Sequence, residues 1–177
     1  MISFCHFLQE ARMAPLYHGT RIVNIPDIIN VGLFDKHLIG TTHFKGMKSA
    51  SQQYRSVSTA RSIASVEHYL ATEGLGRNRS AIIVLDQDKL SRSYRIIPHD
   101  FYASVDIRQR EDTNKHAYRS ETEESIILRN NKPIPLKKYA IKVLLPNINT
   151  MHEADKVDVK SAQQALNQAG IPWEYRK

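Results

Sequence analysis

The chain has 177 residues, of which 41% are apolar and 24% are charged. This length fits one domain, or one domain with a tail, and the composition excludes a disordered, collagen-like or coiled-coil chain. Lys and Arg exceed Asp and Glu by 25 to 18, which gives a net charge of +7. Such an excess is compatible with an acidic partner: a nucleic acid, a charged nucleotide or an acidic protein face.

Cysteine usage and hydropathy narrow the class of protein. Cys5 is the single cysteine, so no intrachain disulfide can form and cysteine-based zinc sites are excluded. No run approaches about 18 apolar residues, so we expect no transmembrane helix. Residues 1–14 lack the basic leader and apolar stretch of a signal peptide, and Met13 is an alternative start. We therefore expect a cytoplasmic protein that binds no metal and no membrane.

The first predicted elements are a strand and a short helix. Residues 14–17 predict a strand that leads into a turn at 18–20. Residues 24–32 predict a helix of one to two turns, because Pro26 suits its first turn and Gly32 suits its end.

The middle of the chain alternates loops with apolar segments. Residues 36–55 are polar and without periodicity, which predicts a long loop. A strand end is expected at 56–59, and helical spacing of apolar residues predicts a helix at 60–70. Residues 81–85 predict a buried strand, and 86–90 a turn or a single helical turn.

The remaining segments complete an α+β pattern. Residues 106–120 are charged and predict an exposed loop. A C-terminal helix is expected at 156–169, with Gly170 as its stop. Because strands and helices do not alternate regularly, we expect an antiparallel or mixed sheet rather than a Rossmann fold. The further predicted strands are 94–97 (ended by Pro98), 125–128 and 139–145.

Three segments, read in chain order, resemble the three-part NAD signature of the ADP-ribosyltransferase superfamily. They are LYHGT at 16–20, SVSTAR at 56–61 and RSETEESIIL at 119–128. The resemblance spans residues 16–145. It implies a split antiparallel β-sandwich with short flanking helices and with NAD as co-substrate in the cleft between two small sheets. The predicted domains are an extension at 1–13, a catalytic domain at 14–146 and a helical tail at 147–177.

The resemblance assigns the first segment to NAD binding. His18 would hydrogen-bond the adenine-side ribose, since an imidazole can both donate and accept. The backbone at Gly19 would hold the nicotinamide carboxamide, where a glycine permits close approach. Thr20 would add a hydroxyl contact, and Tyr17 flanks the site.

The second segment is assigned to the nicotinamide end and the pyrophosphate. Ser58 and Thr59 would support the nicotinamide ribose or the catalytic Glu. Arg61 could face the pyrophosphate, which suits its fixed fork of donors. The aromatic residue that stacks on nicotinamide is either Tyr54 or Tyr69.

The third segment supplies the catalytic carboxylate. Cleavage of the nicotinamide–ribose bond has a transition state with positive charge on the sugar, which a carboxylate stabilises. The resemblance favours Glu124, because it directly precedes an apolar strand. Strand alternation places Glu121 and Glu123 on the other face, and this Glu-x-Glu pair stays an alternative. Thr122, where arginine-modifying members carry Glu, argues mildly against an arginine acceptor.

Basic residues suggest where an anionic acceptor would bind. Residues 36–66 and 125–152 each contain five Lys or Arg and no Asp or Glu. In the family that the chain resembles, the loop before the catalytic Glu selects the acceptor, and here that loop is 106–120. The candidate acceptor-binding residues in or beside it are Arg108, Arg110, Tyr118 and Arg119.

Structural interpretations compete with these roles. A histidine after a strand is commonly structural, a Ser-Thr pair before a helix commonly caps it, and a Glu-rich run is commonly a solvated face. Arg119 could simply pair with the neighbouring Glu residues. Asp86 and Asp88 fit a turn or helix cap better than a metal site.

The function expected from the resemblance is mono-ADP-ribosyl transfer from NAD to a macromolecule, with nucleic acid slightly ahead of protein. Its settings would be a toxin, an anti-phage factor or a phage effector, and a neutralising antitoxin is a possible partner. The alternatives are an NAD glycohydrolase, a non-catalytic basic nucleic-acid-binding module, and transfer of an RNA 2′-phosphate to NAD.

Overall fold

The computed structural model describes residues 13–34, 56–99, 123–128 and 132–176. Seven strands of these ranges lie in one sheet, in the order β4-β5-β2-β1-β3-β6-β7. All neighbours pair antiparallel except β6 and β7, which pair parallel. The strands are β1 Leu16–Arg21, β2 Ser56–Ala60, β3 Ser80–Leu85, β4 Arg95–His99, β5 Glu123–Ile127, β6 Ala140–Leu145 and β7 Trp173–Tyr175.

Short helices flank this sheet, and one longer helix precedes β7. The fold is therefore the predicted α+β class. None of the helices in the described ranges has the length and apolar character needed to cross a bilayer. The helices are α1 Ile25–Val31, α2 Ile63–Thr72, α3 Gln87–Ser91, α4 Leu136–Tyr139 and α5 Glu153–Ala169, with 3-10 turns at Ile22–Asn24, Arg77–Arg79 and Ile148–Thr150.

The sheet is split between β1 and β2. One backbone pair, Tyr17 with Ala60, joins these two strands, whereas β1 pairs with β3 along its whole length and β2 pairs with β5 along its whole length. We call the opening beyond this pair the fork. The fork divides the sheet into a half made of β4, β5 and β2 and a half made of β1, β3, β6 and β7.

The two halves fold towards each other. Four strands lie between β4 and β6 in the sheet order, which would separate them by about 24 Å in a flat sheet with strands about 4.8 Å apart. Yet the rings of Tyr94 and Tyr139, which directly precede β4 and β6, have centroids 5.6 Å apart. The single seven-stranded sheet is thus strongly curved, which is consistent with the split β-sandwich that the resemblance implies.

Two apolar clusters cover the two faces. The main core contains Leu16 and Ile83 from the sheet and Leu166 from α5. A smaller cluster lies under α2, where Val66 and Leu70 pack on the opposite face. Every residue of β3 is buried, so this strand forms the centre of the domain. Full burial of each such aliphatic side chain contributes about 1.5–3 kcal/mol.

The predicted helix ends are confirmed. Gly32 follows α1 with φ of 104°, and Gly170 follows α5 with φ of 68°, conformations that favour glycine. A Cβ at Gly32 would also lie 2.7 Å from the Pro133 Cβ. Asp86 caps α3 by accepting a hydrogen bond from the Lys89 amide at 3.0 Å, as the helix-cap interpretation expected.

Three local expectations were wrong. The segment 18–20 is not a turn, because it continues β1 through Arg21 by pairing with β3. Pro98 does not end the strand before it, since β4 is an edge strand of the described sheet, where a missing amide proton is tolerated. Strand β7 was not expected at all: its three residues are too few for a pattern, and it forms by pairing with β6.

Candidate active site

His18 bridges the two sides of the fork. It lies on the face of β1 that meets the main core, and only 2% of its surface is exposed. Its Nδ1 lies 2.8 Å from the Ser58 carbonyl oxygen on β2. Because a carbonyl only accepts, Nδ1 carries the proton in this contact, and Nε2 of the neutral ring is then an acceptor. The imidazole thus stabilises the fork where backbone pairing stops.

The neighbours of His18 divide between the two faces. Thr20 is buried on the same face, and its Oγ1 accepts a hydrogen bond from the Asn24 side-chain amide at 3.2 Å. Gly19 and Tyr17 lie on the other face, under α2. A Cβ at Gly19 would lie 2.7 Å from the Val66 Cγ1. The packing of α2 on β1 is therefore sufficient to explain this glycine, without a ligand.

Thr59 connects β2 to the strand that carries the carboxylate. Thr59 and Glu124 are register partners, and the Thr59 Oγ1 donates to the Glu124 carbonyl oxygen at 2.8 Å. Ser58 and Thr59 do not cap α2, so that interpretation was wrong. The cap is Ser62, whose hydroxyl accepts from the Ser65 amide at 3.1 Å.

Glu124 is a buried carboxylate with an arginine partner. Its side chain is 3% exposed, whereas that of Arg61 is 49% exposed. The Arg61 Nε and Nη2 both lie 2.7 Å from Glu124 Oε1. Since a buried charge is costly unless it is paired, Arg61 is the partner that a carboxylate at this buried position needs. Within the described ranges, both contacts of this carboxylate fall on Oε1, and Oε2 has no hydrogen-bond partner.

These side chains form one row across the fork. The pair of Tyr17 with Ala60 places His18 beside Thr59, which in turn pairs with Glu124. All three are buried on the face of the main core. Arg61 follows β2 directly and reaches the end of this row. The structure therefore brings together four residues that the sequence analysis selected from three separate segments.

The other predicted residues are placed differently or lie outside the description. Glu123 is the first residue of β5, paired with Ala60 and His99. Tyr69 is 44% exposed on α2, which packs on the face opposite His18. Asn24, which contacts Thr20, was missed because no motif selects it. The predicted site residues outside the described ranges are Tyr54, Arg108, Arg110, Tyr118, Arg119 and Glu121.

Strand order and the fork define the class of fold: it is a mixed α+β fold with a mostly antiparallel seven-stranded sheet, consistent with the ADP-ribosyltransferase type. No family model matches the sequence, and no curated protein matches it. A similar solved structure is that of Thermosipho africanus DarTG in complex with ADP-ribose, with a TM-score of 0.54 and 14% sequence identity. The alignment covers 91% of this chain and 49% of that chain, so this chain corresponds to about half of the DarTG chain. At this identity the likeness concerns the fold.

Proposed function

We propose that the chain is an NAD-dependent ADP-ribosyltransferase that modifies a macromolecule, with a nucleic acid as the favoured acceptor. One observation carries the proposal: the buried Glu124 carboxylate, held by Arg61, lies in one row with His18 across the fork. The likeness in fold to a protein solved with ADP-ribose supports it.

The residues at the fork suit the chemical groups of NAD. With Nδ1 bound to the Ser58 carbonyl, the His18 Nε2 is oriented as an acceptor for a ribose hydroxyl. Glu124 offers carboxylate oxygens for a second sugar hydroxyl or for positive charge on the sugar. Arg61 is half-exposed, so part of its guanidinium can meet an anionic phosphate while it contacts Glu124.

Glu124 would act twice in the reaction. First it stabilises positive charge on the ribose as the bond between C1′ and the nicotinamide nitrogen breaks, with the electron pair leaving on nicotinamide. Then it accepts the proton of the acceptor nucleophile, whose lone pair forms the new bond to C1′. The proton subsequently passes to water, which restores the carboxylate.

Arg61 would act as a positioning residue. Its two nitrogens hold Oε1 of Glu124, which leaves Oε2 for the substrate. The Thr59 hydroxyl fixes the backbone of the same residue. The carboxylate is thus constrained at both ends, which is the preorganisation that electrostatic stabilisation of a transition state requires.

The experiment is incubation with labelled NAD and separate DNA, RNA and protein fractions. We expect label in one polymer fraction, and we expect Glu124→Gln to abolish it while leaving the circular dichroism spectrum unchanged. Glu67→Gln, which alters another arginine-paired carboxylate, is the matched control and should keep full labelling. Nicotinamide release without labelled polymer would instead identify a glycohydrolase. If the chain neither releases nicotinamide nor labels any polymer, the proposal is refuted.

A further inference from the structure

Helix α2 lies behind the fork and spans it. The helix packs on the face opposite the buried row and contacts β1, β2 and β3, so it touches both halves of the sheet. Its buried side chains, Val66 and Leu70, are 4% and 2% exposed. Tyr17 and Ala60, whose backbone pair joins β1 to β2, pack against the same apolar cluster. The helix therefore covers the point at which the two halves are joined.

The contact between α2 and β1 leaves no room for a side chain. A Cβ at Gly19 would lie 2.7 Å from the Val66 Cγ1 and 3.1 Å from the Leu70 Cδ2. Gly19 directly follows His18 on β1, and the two residues face opposite sides of the sheet. The height of α2 above the strand that carries His18 is thus set by Val66 and Leu70.

The same helix is fixed to Arg61 through one residue. Ser62 lies between Arg61 and α2, and its hydroxyl accepts a hydrogen bond from the Ser65 amide at 3.1 Å. The Ser62 carbonyl oxygen accepts a second hydrogen bond, from the Val66 amide at 3.4 Å. Because these bonds tie Ser62 to the first turn of α2, a displacement of that turn also displaces the backbone of Arg61.

The Arg61 side chain depends on this placement of its backbone. It is 49% exposed, and within the described ranges its hydrogen bonds and ion pairs all go to Glu124. Both of its contacts with Oε1 measure 2.7 Å. Hydrogen bonds weaken as their length and angle depart from the optimum. A small displacement of α2 is therefore enough to loosen the hold of Arg61 on the carboxylate.

We propose that Val66 is a positioning residue for the pair of Arg61 and Glu124, and that α2 holds the fork at its working width. Val66 lies on the face of the sheet opposite Glu124, so it acts through the backbone of Arg61 and not by contact with NAD. The catalytic role of Val66 rests on the proposed function, whereas the effect of α2 on the fork does not.

The first test compares Val66→Ala with Val159→Ala. Val159 is a fully buried valine of α5 in the main core, so both changes remove the same methyl groups from a buried helical position. In Val66→Ala, kcat for nicotinamide release should fall by about 10-fold, because small misplacements of catalytic groups have large effects on rate. KM for NAD should equal that of Val159→Ala, and the control should keep the wild-type kcat at temperatures where both variants are folded.

Two further variants place the effect at Arg61. In the Arg61→Ala background, Val66→Ala should not lower kcat further, because the interaction through which it acts is already lost. Val66→Ile displaces α2 in the other direction, since an added methyl group must push the helix away from Gly19. It should also lower kcat, and it replaces Val66→Ala if that variant does not fold.

Amide hydrogen exchange, followed by mass spectrometry, reports on the fork without any reaction. Peptides that contain β2 should exchange faster in Val66→Ala than in the wild-type chain, and at the wild-type rate in Val159→Ala, because only the first change loosens the helix that covers the fork.

Three results would overturn the inference. They are an equal fall of kcat in Val66→Ala and Val159→Ala, the same effect of Val66→Ala with and without Arg61, or equal exchange at β2 in the two valine variants. If exchange at β2 rises in Val66→Ala alone but the wild-type chain releases no nicotinamide, the proposed function fails and the role of α2 at the fork stands.

Discussion

Two ion pairs of this protein differ in which partner is buried: it is the carboxylate in one pair and the guanidinium in the other. At the fork the carboxylate of Glu124 is 3% exposed and its partner Arg61 is 49% exposed. In the other half of the sheet the guanidinium of Arg176 is 3% exposed and its partner Glu67 is 33% exposed. Both pairs contain a charge removed from water, but the surroundings of that charge differ.

Arg176 is bound by fixed acceptors of the fold. Its Nη2 donates to the carbonyl oxygens of Arg77 and Ser80 and to the Ser80 hydroxyl, while Glu67 lies 3.7 Å from Nη1. Burial lowers the pKa of Arg176 to about 10; the Glu67 charge opposes this shift and the Arg77 charge adds to it. Arg176 therefore stays charged at neutral pH and links the end of the described chain to β3 and α2.

Glu124 has fewer fixed partners. Only its Oε1 contacts Arg61. The Thr59 hydroxyl donates its hydrogen bond to the backbone carbonyl of Glu124 and not to the carboxylate. A carboxylate can accept about four hydrogen bonds, so the described residues leave part of its capacity unused. Among the described residues, Arg176 has several backbone partners that contribute to stability, whereas Glu124 has one side-chain partner, which suits the chemistry proposed for it.

Apart from changes to Glu124 itself, the largest effect is expected at Arg61. Arg61→Ala leaves the Glu124 carboxylate without its partner and without a defined orientation, so NAD cleavage should fall by about 10²–10³-fold. Arg61→Lys should recover part of this rate, because it restores the charge but not the two-nitrogen contact. Initial rates of nicotinamide release measure both. A fully active Arg61→Ala enzyme would remove Arg61 from the site.

The next effect is on stability, at Arg176. Arg176→Ala removes a charged donor and leaves the carbonyls of Arg77 and Ser80 without it, so the free energy of unfolding should fall by about 3 kcal/mol. Glu67→Gln, which alters only the half-exposed partner, should cost less than about 1 kcal/mol. Urea unfolding separates the two values. Equal losses would show that the ion pair, rather than the backbone contacts, carries the stability.

Gly19→Ala tests the packing behind the fork. The new Cβ would meet the Val66 and Leu70 side chains at 2.7 and 3.1 Å, so α2 must shift, at a cost of about 1–3 kcal/mol. Gly76 is the control, because no atom lies within 4 Å of its Cβ position and its φ is −56°. Gly76→Ala should change stability by less than about 0.5 kcal/mol in thermal unfolding. If Gly19→Ala leaves the thermal stability unchanged, the packing of α2 does not require a glycine at this position.

The smallest effect is expected for an exposed pair. Lys142 and Glu174 join β6 to β7 at 2.7 Å, but their side chains are 36% and 55% exposed. Water screens such a pair, so Lys142→Gln should change the free energy of unfolding by less than about 0.5 kcal/mol. A loss comparable to that of Arg176→Ala would mean that burial does not determine how much an ion pair of this fold contributes to stability.

Residues with a local signal were predictable from the sequence. His18 and Glu124 were selected because LYHGT and RSETEESIIL resemble the NAD signature, and the α+β class followed from the spacing of strands and helices. The ends of α1 and α5 followed from Gly32 and Gly170. These features depend on a few neighbouring residues, so a linear pattern contains them.

Residues whose role depends on the register of distant strands were not predictable in this way. Arg61 was assigned to a pyrophosphate, and its contact with Glu124, 63 positions away, requires β2 and β5 to pair as they do. The resemblance assigned Gly19 to a ligand, which stays a prediction, and nothing in the sequence shows that α2 packs on this residue. Arg176 was missed, since its acceptors lie almost a hundred positions earlier.

The most direct test of the central claim compares nicotinamide release from NAD by the wild-type chain, Glu124→Gln and Glu67→Gln. Each variant neutralises one carboxylate that is paired with arginine, so the two differ in position rather than in chemistry. We predict that Glu124→Gln lowers the rate by about 10²–10⁴-fold with an unchanged melting temperature, while Glu67→Gln keeps the wild-type rate. Equal rates in the two variants would contradict the assignment of the fork as the active site.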